Sequence, residues 1–267
     1  MPINQQTAEG ETMAQSNWTR NETLMAFTLY RLLPVSHLTV RNEDICSLAK
    51  AIGRTPAAVK LKAWNIAAYD SNRIAVGKKG MEHGSHMDRA IWEEFEAKGD
   101  SLLDEGLDLL AQSLTNLPRS RTVHYAIEEL PPIGAERKAL RTERVNQQYF
   151  RNRLMENYGG KCCVTGIAIP ELLIASHIKP WAQSDPKTER LAADNGLLLN
   201  ALHDRAFDQG LITVTKDYRI VLSSKVSRDG AASCMLLKSE GQRIAVPSIK
   251  PPAKEFLEYH NDVIFVA

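Results

Sequence analysis

The sequence predicts an α+β chain, in which a mainly helical N-terminal region precedes a compact unit of strand, loop, strand and helix. Three observations carry that expectation. Helix-capping residues followed by apolar positions at helical spacing recur between Thr19 and Leu114. Two short apolar runs, one closed by Pro180 and one opened by Asn195, read as strands and lead into a polar–apolar stretch from His203 that reads as a helix. Between the two regions, Pro118-Arg119-Ser120-Arg121 and Leu130-Pro131-Pro132-Ile133-Gly134 break any regular element.

In chain order, residues 1–17 are polar and are expected to form a flexible tail. Thr19-Arg20-Asn21-Glu22 has the residues of a capping box, and the apolar run Leu24 to Leu33 behind it ends at Pro34. Asn42 is placed to cap a second helix, with Ile45, Leu48, Ala49 and Ile52 on one face and Gly53 as its stop. Thr55 then caps a third, where Pro56 takes the first helical position and Val59, Ala63 and Ile66 share a face. The pair joined by Gly53-Arg54-Thr55 reads as a helix-turn-helix. Its third helix is expected to expose Lys60 and Lys62, with Arg54 at its entrance, an arrangement suited to a DNA major groove. The same turn also serves helices that merely pack.

A short strand over Ile74–Val76, with Lys78, Lys79 and Gly80 as a wing or surface loop, is expected next. Helices follow over His86–Ala97, with Ile91, Trp92 and Phe95 as the apolar face, and over Ser101–Leu114. The domain reading is thus 18–115 helical, a possible DNA-recognition unit, 116–134 connector, and 135–267 a second domain. The second domain opens with a helix from about Ala135 to Asn157. In it, Arg219-Ile220-Val221-Leu222 is expected to continue the sheet and Ala253–Asp262 to close as a helix.

Bulk properties bound the function. With 267 residues, 43% hydrophobic and 24% charged, the chain has the composition of a globular protein with ample core. No apolar run approaches the roughly 20 residues a membrane span needs. The start lacks a signal-peptide pattern, so a cytoplasmic location without membrane attachment is expected. Cys46, Cys162, Cys163 and Cys234 have neither zinc spacing nor a disulfide pattern, so no structural zinc is expected. Net charge is only +1, but Gly134 to Lys161 carries seven basic residues (Arg137, Lys138, Arg141, Arg144, Arg151, Arg153 and Lys161) against three Glu. That run is either a solvated helix face or a phosphate-tracking surface.

The chemistry concentrates in Ala175-Ser176-His177-Ile178-Lys179-Pro180-Trp181, Asp194-Asn195-Gly196-Leu197-Leu198-Leu199 and His203-Asp204-Arg205-Ala206-Phe207-Asp208. His177, Asn195 and His203 are separated by 17 and then 7 residues. Cys162-Cys163-Val164-Thr165-Gly166 precedes them and Gly210 follows. Ordered in this way, residues from about Tyr149 to about Leu222 resemble the HNH endonuclease family. The likeness is to its restriction-type branch, written C-x-x-T-G, A-S-H-I-x-P-W, N-G-L-L-L and H-x-x-x-F-D-x-G.

The resemblance implies a C-terminal ββα-metal fold and assigns roles. His177 would be the general base that takes a proton from attacking water, which suits an imidazole titrating near neutrality. Asn195 would tie the loop together by hydrogen bonds and so fix His177. His203 would hold one divalent cation, Mg²⁺ or Mn²⁺ first and Zn²⁺ or Ni²⁺ second, with Asp208 as a further ligand or a partner orienting one. Many relatives carry an acid or His directly before the base. This chain has Ser176, whose neutral oxygen is a weak ligand for a hard cation.

The expectation is therefore a metal-dependent DNA endonuclease acting on duplex DNA, of restriction or defence type and directed in some relatives at modified DNA, with Arg54, Lys60 and Lys62 on the nucleic acid. A homodimer is compatible with it. A DNA-binding regulator with an inactive nuclease-like domain and an RNA-directed nuclease toxin stand as the alternatives.

Overall fold

A computed structural model describes residues 17–74, 84–114, 135–227 and 229–267. The proposed tail up to Ser16, the Lys78-Lys79-Gly80 loop and the 116–134 connector lie outside them. Among the described residues the fold is α+β, with helices first and two antiparallel strand pairs in the C-terminal half.

Helix α1, Arg20–Leu32, starts where the sequence places it. The Glu22 N–H donates to Thr19 Oγ1 at 3.2 Å, and the Thr19 N–H donates back to the Glu22 carboxylate at 2.9 Å. Every residue from Thr23 to Leu32 is buried, because α1 is the axis around which the other helices pack. Helix α2, Glu43–Ala51, is capped by Asn42, whose Oδ1 accepts from Asp44 N and Ile45 N. Gly53 follows at φ +65°, a left-handed conformation that glycine adopts without steric cost. The chain then enters α3, Pro56–Ala67, under the Thr55 cap. Val59, Ala63 and Ile66 turn inward as their spacing requires.

Ile74 is not in a strand. It closes a helical turn, α4 (Ser71–Ile74), because the N–H groups of Arg73 and Ile74 both donate to the Asp70 carbonyl. Helices α5 (His86–Lys98) and α6 (Asp100–Ser113) complete the first core.

Helix α7, Ala135–Asn157, serves two cores through consecutive residues. Val145 and Tyr149 belong to the first, Phe150 and Leu154 to the second. Asp70 accepts hydrogen bonds from the hydroxyls of both Tyr30 and Tyr149, so α7 is tied to α1 by a buried polar contact as well as by packing.

Strands β1 (Leu173–His177) and β2 (Gly196–Asn200) pair antiparallel, with Ser176 opposite Leu197 and His177 opposite Gly196. Helix α8 (Ala201–Asp208) follows directly from β2. Alternation along a strand sends neighbouring side chains to opposite faces. His177 and Gly196 face α7, where a Cβ on Gly196 would come within 2.6 Å of Leu154 and 2.7 Å of Phe150. Ser176 faces α8.

The expectation that residues 219–222 continue this sheet is overturned. Strand β4 (Ile220–Leu222) pairs instead with β3 (Ile212–Val214) as a separate hairpin. The β2 edge is occupied: the Cys163 N–H donates to the Leu198 carbonyl at 2.8 Å and the Asn200 N–H to Cys162 Sγ at 3.3 Å. A further helix unforeseen in the sequence, α9 (Ala231–Leu237), precedes α10 (Lys254–Tyr259), which runs into a π-helical turn at His260–Ile264.

Candidate active site

His177 is the last residue of β1. Its ring lies parallel to Phe150 at 3.8 Å between centroids and meets Trp181 edge-on at 5.5 Å. Nε2 stands 2.9 Å from the Arg190 carbonyl. A carbonyl oxygen only accepts, so Nε2 carries the proton and the lone pair sits on Nδ1. Burial lowers the pKa below the ordinary histidine value, and the Arg190 carbonyl opposes that shift. The ring is therefore neutral near pH 7, the form a base requires.

Asn195 is fully buried. Oδ1 accepts from Lys179 N at 2.8 Å, while Nδ2 donates to Lys179 O, Ser184 Oγ and Glu189 O at 3.1–3.2 Å. Its carbonyl also accepts from Ile178 N at 3.0 Å. One amide thus closes the loop that starts at His177 and contains the Arg190 carbonyl. Both ends of the side chain are therefore engaged inside that loop.

His203 lies in the first turn of α8 at 1% exposure. Nδ1 stands 3.1 Å from Asn200 Oδ1, and Nε2 is buried without a hydrogen-bond partner among the described residues. Burial lowers its pKa, so this ring too is neutral. Asp204 and Asp208, one helical turn apart, both have pKa values raised by burial, and Asp208 raises Asp204 further by like charge. Ser176 is the polar neighbour of Asp204 that opposes this rise.

These placements divide the sequence-derived set. His177 and Asn195 belong to the α7 face and its loop; Ser176, Asp204 and Asp208 gather at α8. Among the described residues, no three His, Cys, Asp or Glu side chains form a cluster able to hold a metal ion by themselves. Asp204, beside Ser176 and one turn from Asp208, is a buried carboxylate that sequence reasoning left out of its metal candidates. Its i,i+4 relation to Asp208 was visible, but its neighbour Ser176 lies 28 positions away in the chain.

The outlying cations need correction. Lys62 is not exposed: it is 5% accessible, with Nζ 2.6 Å from Asp88 Oδ1 and 3.2 Å from Ser85 Oγ. The apolar face of α3 is wide enough to draw Lys62 under α5, where Asp88 neutralises it. Arg54 is also engaged, pairing with Glu22 at 2.9 Å and lying over the Trp18 ring at 4.3 Å. Lys60 is half-buried. In α7, Arg153 is buried beside Glu156 and Tyr149. Arg151 donates to the carbonyls of Pro170 and Leu173, so it props the entry to β1.

A cleft bounded by Asp100, Asp104, Glu143, Trp181 and Arg190 adjoins the His177 loop. Three carboxylates make it a poor path for phosphate. Among the described residues, no helix is long and apolar enough to cross a membrane. Comparison with curated proteins gives no match. A family model described as HNH endonuclease matches residues 162–215, the stretch from Cys162 through β1, β2 and α8 into β3. That stretch, which contains His177, Asn195 and His203, is similar to the HNH endonuclease family.

Proposed function

We propose that the chain is a metal-dependent DNA endonuclease, and the observation that carries this reading is the state of His177. Its ring is neutral, held by Phe150 and the Arg190 carbonyl, with its one lone pair on Nδ1. Nδ1 takes a proton from water as that water attacks phosphorus, and the 3′ oxygen leaves as the P–O bond breaks. Because Ser176 and His177 are consecutive, a phosphate at the C-terminal end of β1 meets the base on one side and the α8 carboxylates on the other.

His203, Asp204 and Asp208 are the α8 groups we assign to a divalent cation, and among the described residues they do not by themselves form a cluster that holds one. His203 offers an unpartnered buried nitrogen, and Asp204 and Asp208 are two crowded carboxylates that a positive charge would relieve. Water and phosphate oxygens would have to supply the rest of the shell, as Mg²⁺ prefers. Bound there, the cation supplies Lewis-acid stabilisation of charge on the phosphate and the leaving oxygen. A restriction or defence role, with modified DNA among the targets, is the biological setting we attach to this activity. Duplex contacts are assigned to the helical region, with Lys60 in place of the engaged Lys62 and Arg54.

The test is cleavage of supercoiled plasmid with Mg²⁺ or Mn²⁺, with EDTA as control and structured RNA as competing substrate. Metal-dependent nicking or linearisation supports the reading. Cleavage of RNA alone would move the chain to an RNA-directed nuclease, and binding without cleavage under any metal would move it to a regulator.

A further inference from the structure

Asn200, at the junction of β2 and α8, makes more contacts than an N-cap requires. Its Oδ1 accepts from the N–H groups of Leu202 and His203, each at 3.1 Å. Its Nδ2 donates to Thr165 Oγ1 at 3.0 Å and points to Cys162 Sγ at 3.7 Å. Backbone N–H groups only donate, so the orientation of the amide is fixed, with oxygen toward α8 and nitrogen toward the Cys162–Thr165 turn. That same oxygen stands 3.1 Å from His203 Nδ1. An amide oxygen cannot donate, so Nδ1 must carry the ring proton. The lone pair is left on Nε2, which is buried and has no partner among the described residues.

We infer that Asn200 is a positioning residue that sets the tautomer of His203, with Cys162 and Thr165 holding the Asn200 amide in the orientation this requires. The relay gives a physical use to the C-x-x-T-G motif, which the cleavage chemistry leaves unassigned. It leaves an imidazole lone pair on the buried Nε2 of His203. Its consequence for metal binding rests on the reading proposed above; the tautomer itself does not.

Two substitutions separate capping from tautomer control. Ser, Asp and Asn cap helices about equally well, so N200S and N200D both retain the cap. N200S shortens the side chain, so its hydroxyl serves the backbone and no longer reaches the ring. N200D keeps an acceptor facing both the ring and the backbone, and its second oxygen accepts from Thr165 and Cys162. Nitrogen-resolved NMR of ¹⁵N-histidine-labelled, metal-free full chain reads the tautomer, with H203Q identifying the resonance among the seven histidines.

The Nδ1–H form is expected in the wild type and in N200D. N200S should show loss of that single tautomer with unchanged far-UV circular dichroism. Calorimetric titration with Mn²⁺ alone should show affinity about 10- to 100-fold weaker in N200S and within a few-fold of wild type in N200D. An Nε2–H wild type, or an N200S tautomer identical to wild type, overturns the inference. The wild-type spectrum decides alone if a variant fails to fold. An Nδ1–H wild type that binds no Mn²⁺ leaves the relay standing and removes the metal reading.

Discussion

The helical half and the C-terminal half both bury charged and polar side chains. Among the described residues both leave single polar atoms without a partner, Asn65 Oδ1 in the first and His203 Nε2 in the second, but the fully buried ion pair of Lys62 and Asp88 lies in the first. In the helical half, Lys62 meets Asp88 at 2.6 Å, Arg54 meets Glu22 at 2.9 Å, and Asp70 receives two tyrosine hydroxyls. At the β1–β2–α8 unit, His203 Nε2 is left without a partner, and Asp204 and Asp208 crowd each other. A buried group with a partner holds architecture, because removing either member strands the other. A buried group left incomplete costs stability and persists where chemistry uses it. The comparison predicts that substitutions in the two halves will separate stability from activity.

The largest effect is expected at His177. His177→Ala removes the Nδ1 lone pair and should lower cleavage by about 10²- to 10⁴-fold, the usual contribution of a positioned base. Duplex binding should stay near wild type, since the ring faces Phe150 and Trp181 within the fold. Cleavage rates set beside a thermal melt check this. An inactive variant that is also unfolded would make His177 a packing residue and erase the contrast between the halves.

Lys62→Met makes the opposite case. It leaves the Asp88 carboxylate at 0% exposure without its cation, with the Ser85 N–H at 2.7 Å as its remaining partner among the described residues. Loss of about 3–5 kcal/mol in urea unfolding is expected, the range for breaking a buried pair. In whatever fraction remains folded, cleavage per molecule should be unchanged. A stable variant with weakened DNA binding would return Lys62 to the nucleic-acid surface.

The reversal at Lys62 shows which features the sequence made legible. Local signals were readable: the Thr19–Glu22 box, the Asn42 cap and Pro56 behind Thr55 each act within four residues. What failed depends on distant partners. Asp88 lies 26 positions from Lys62, and the edge that excludes β4 from the first sheet is filled by Cys163, far upstream. At the site, the order of His177, Asn195 and His203 was plain, but strand alternation with α7 on one face and α8 on the other was not. Tyr149 and Phe150 illustrate the limit, since periodicity gives no hint that adjacent residues serve different cores.

Acid should find a weak point away from the site. His260 is buried between Thr213 Oγ1 at 2.8 Å and the Phe207 carbonyl at 3.1 Å, stacked on Phe207. Burial lowers its pKa to about 4. The unfolded chain therefore binds this proton first. Its contribution to stability is complete above about pH 6.5 and is lost as pH falls toward 4, by up to about 3 kcal/mol. Urea unfolding from pH 7 to pH 4 measures the slope, and His260→Gln should flatten it. An unchanged slope would assign acid sensitivity elsewhere.

The smallest effect tests the comparison most finely. Asp204 and Asp208 have raised pKa values, so the folded chain holds their protons more tightly than the unfolded chain does. Stability then falls as pH rises from the unfolded to the folded pKa, and at neutral pH both ionised carboxylates are a burden on the fold. Asp204→Asn and Asp208→Asn should therefore leave the metal-free protein as stable as wild type or more so at pH 7. Cleavage should fall about 10- to 100-fold, the range for groups that hold or orient a metal ligand. Asp204→Asn should give the larger stability gain, because it removes the group pressed by both burial and a like charge. Melting temperatures without metal and cleavage rates with Mg²⁺ give the two readings. Destabilisation of both variants would show that these carboxylates have architectural partners, as Asp88 does, and the proposed division between the halves would fail at its active face.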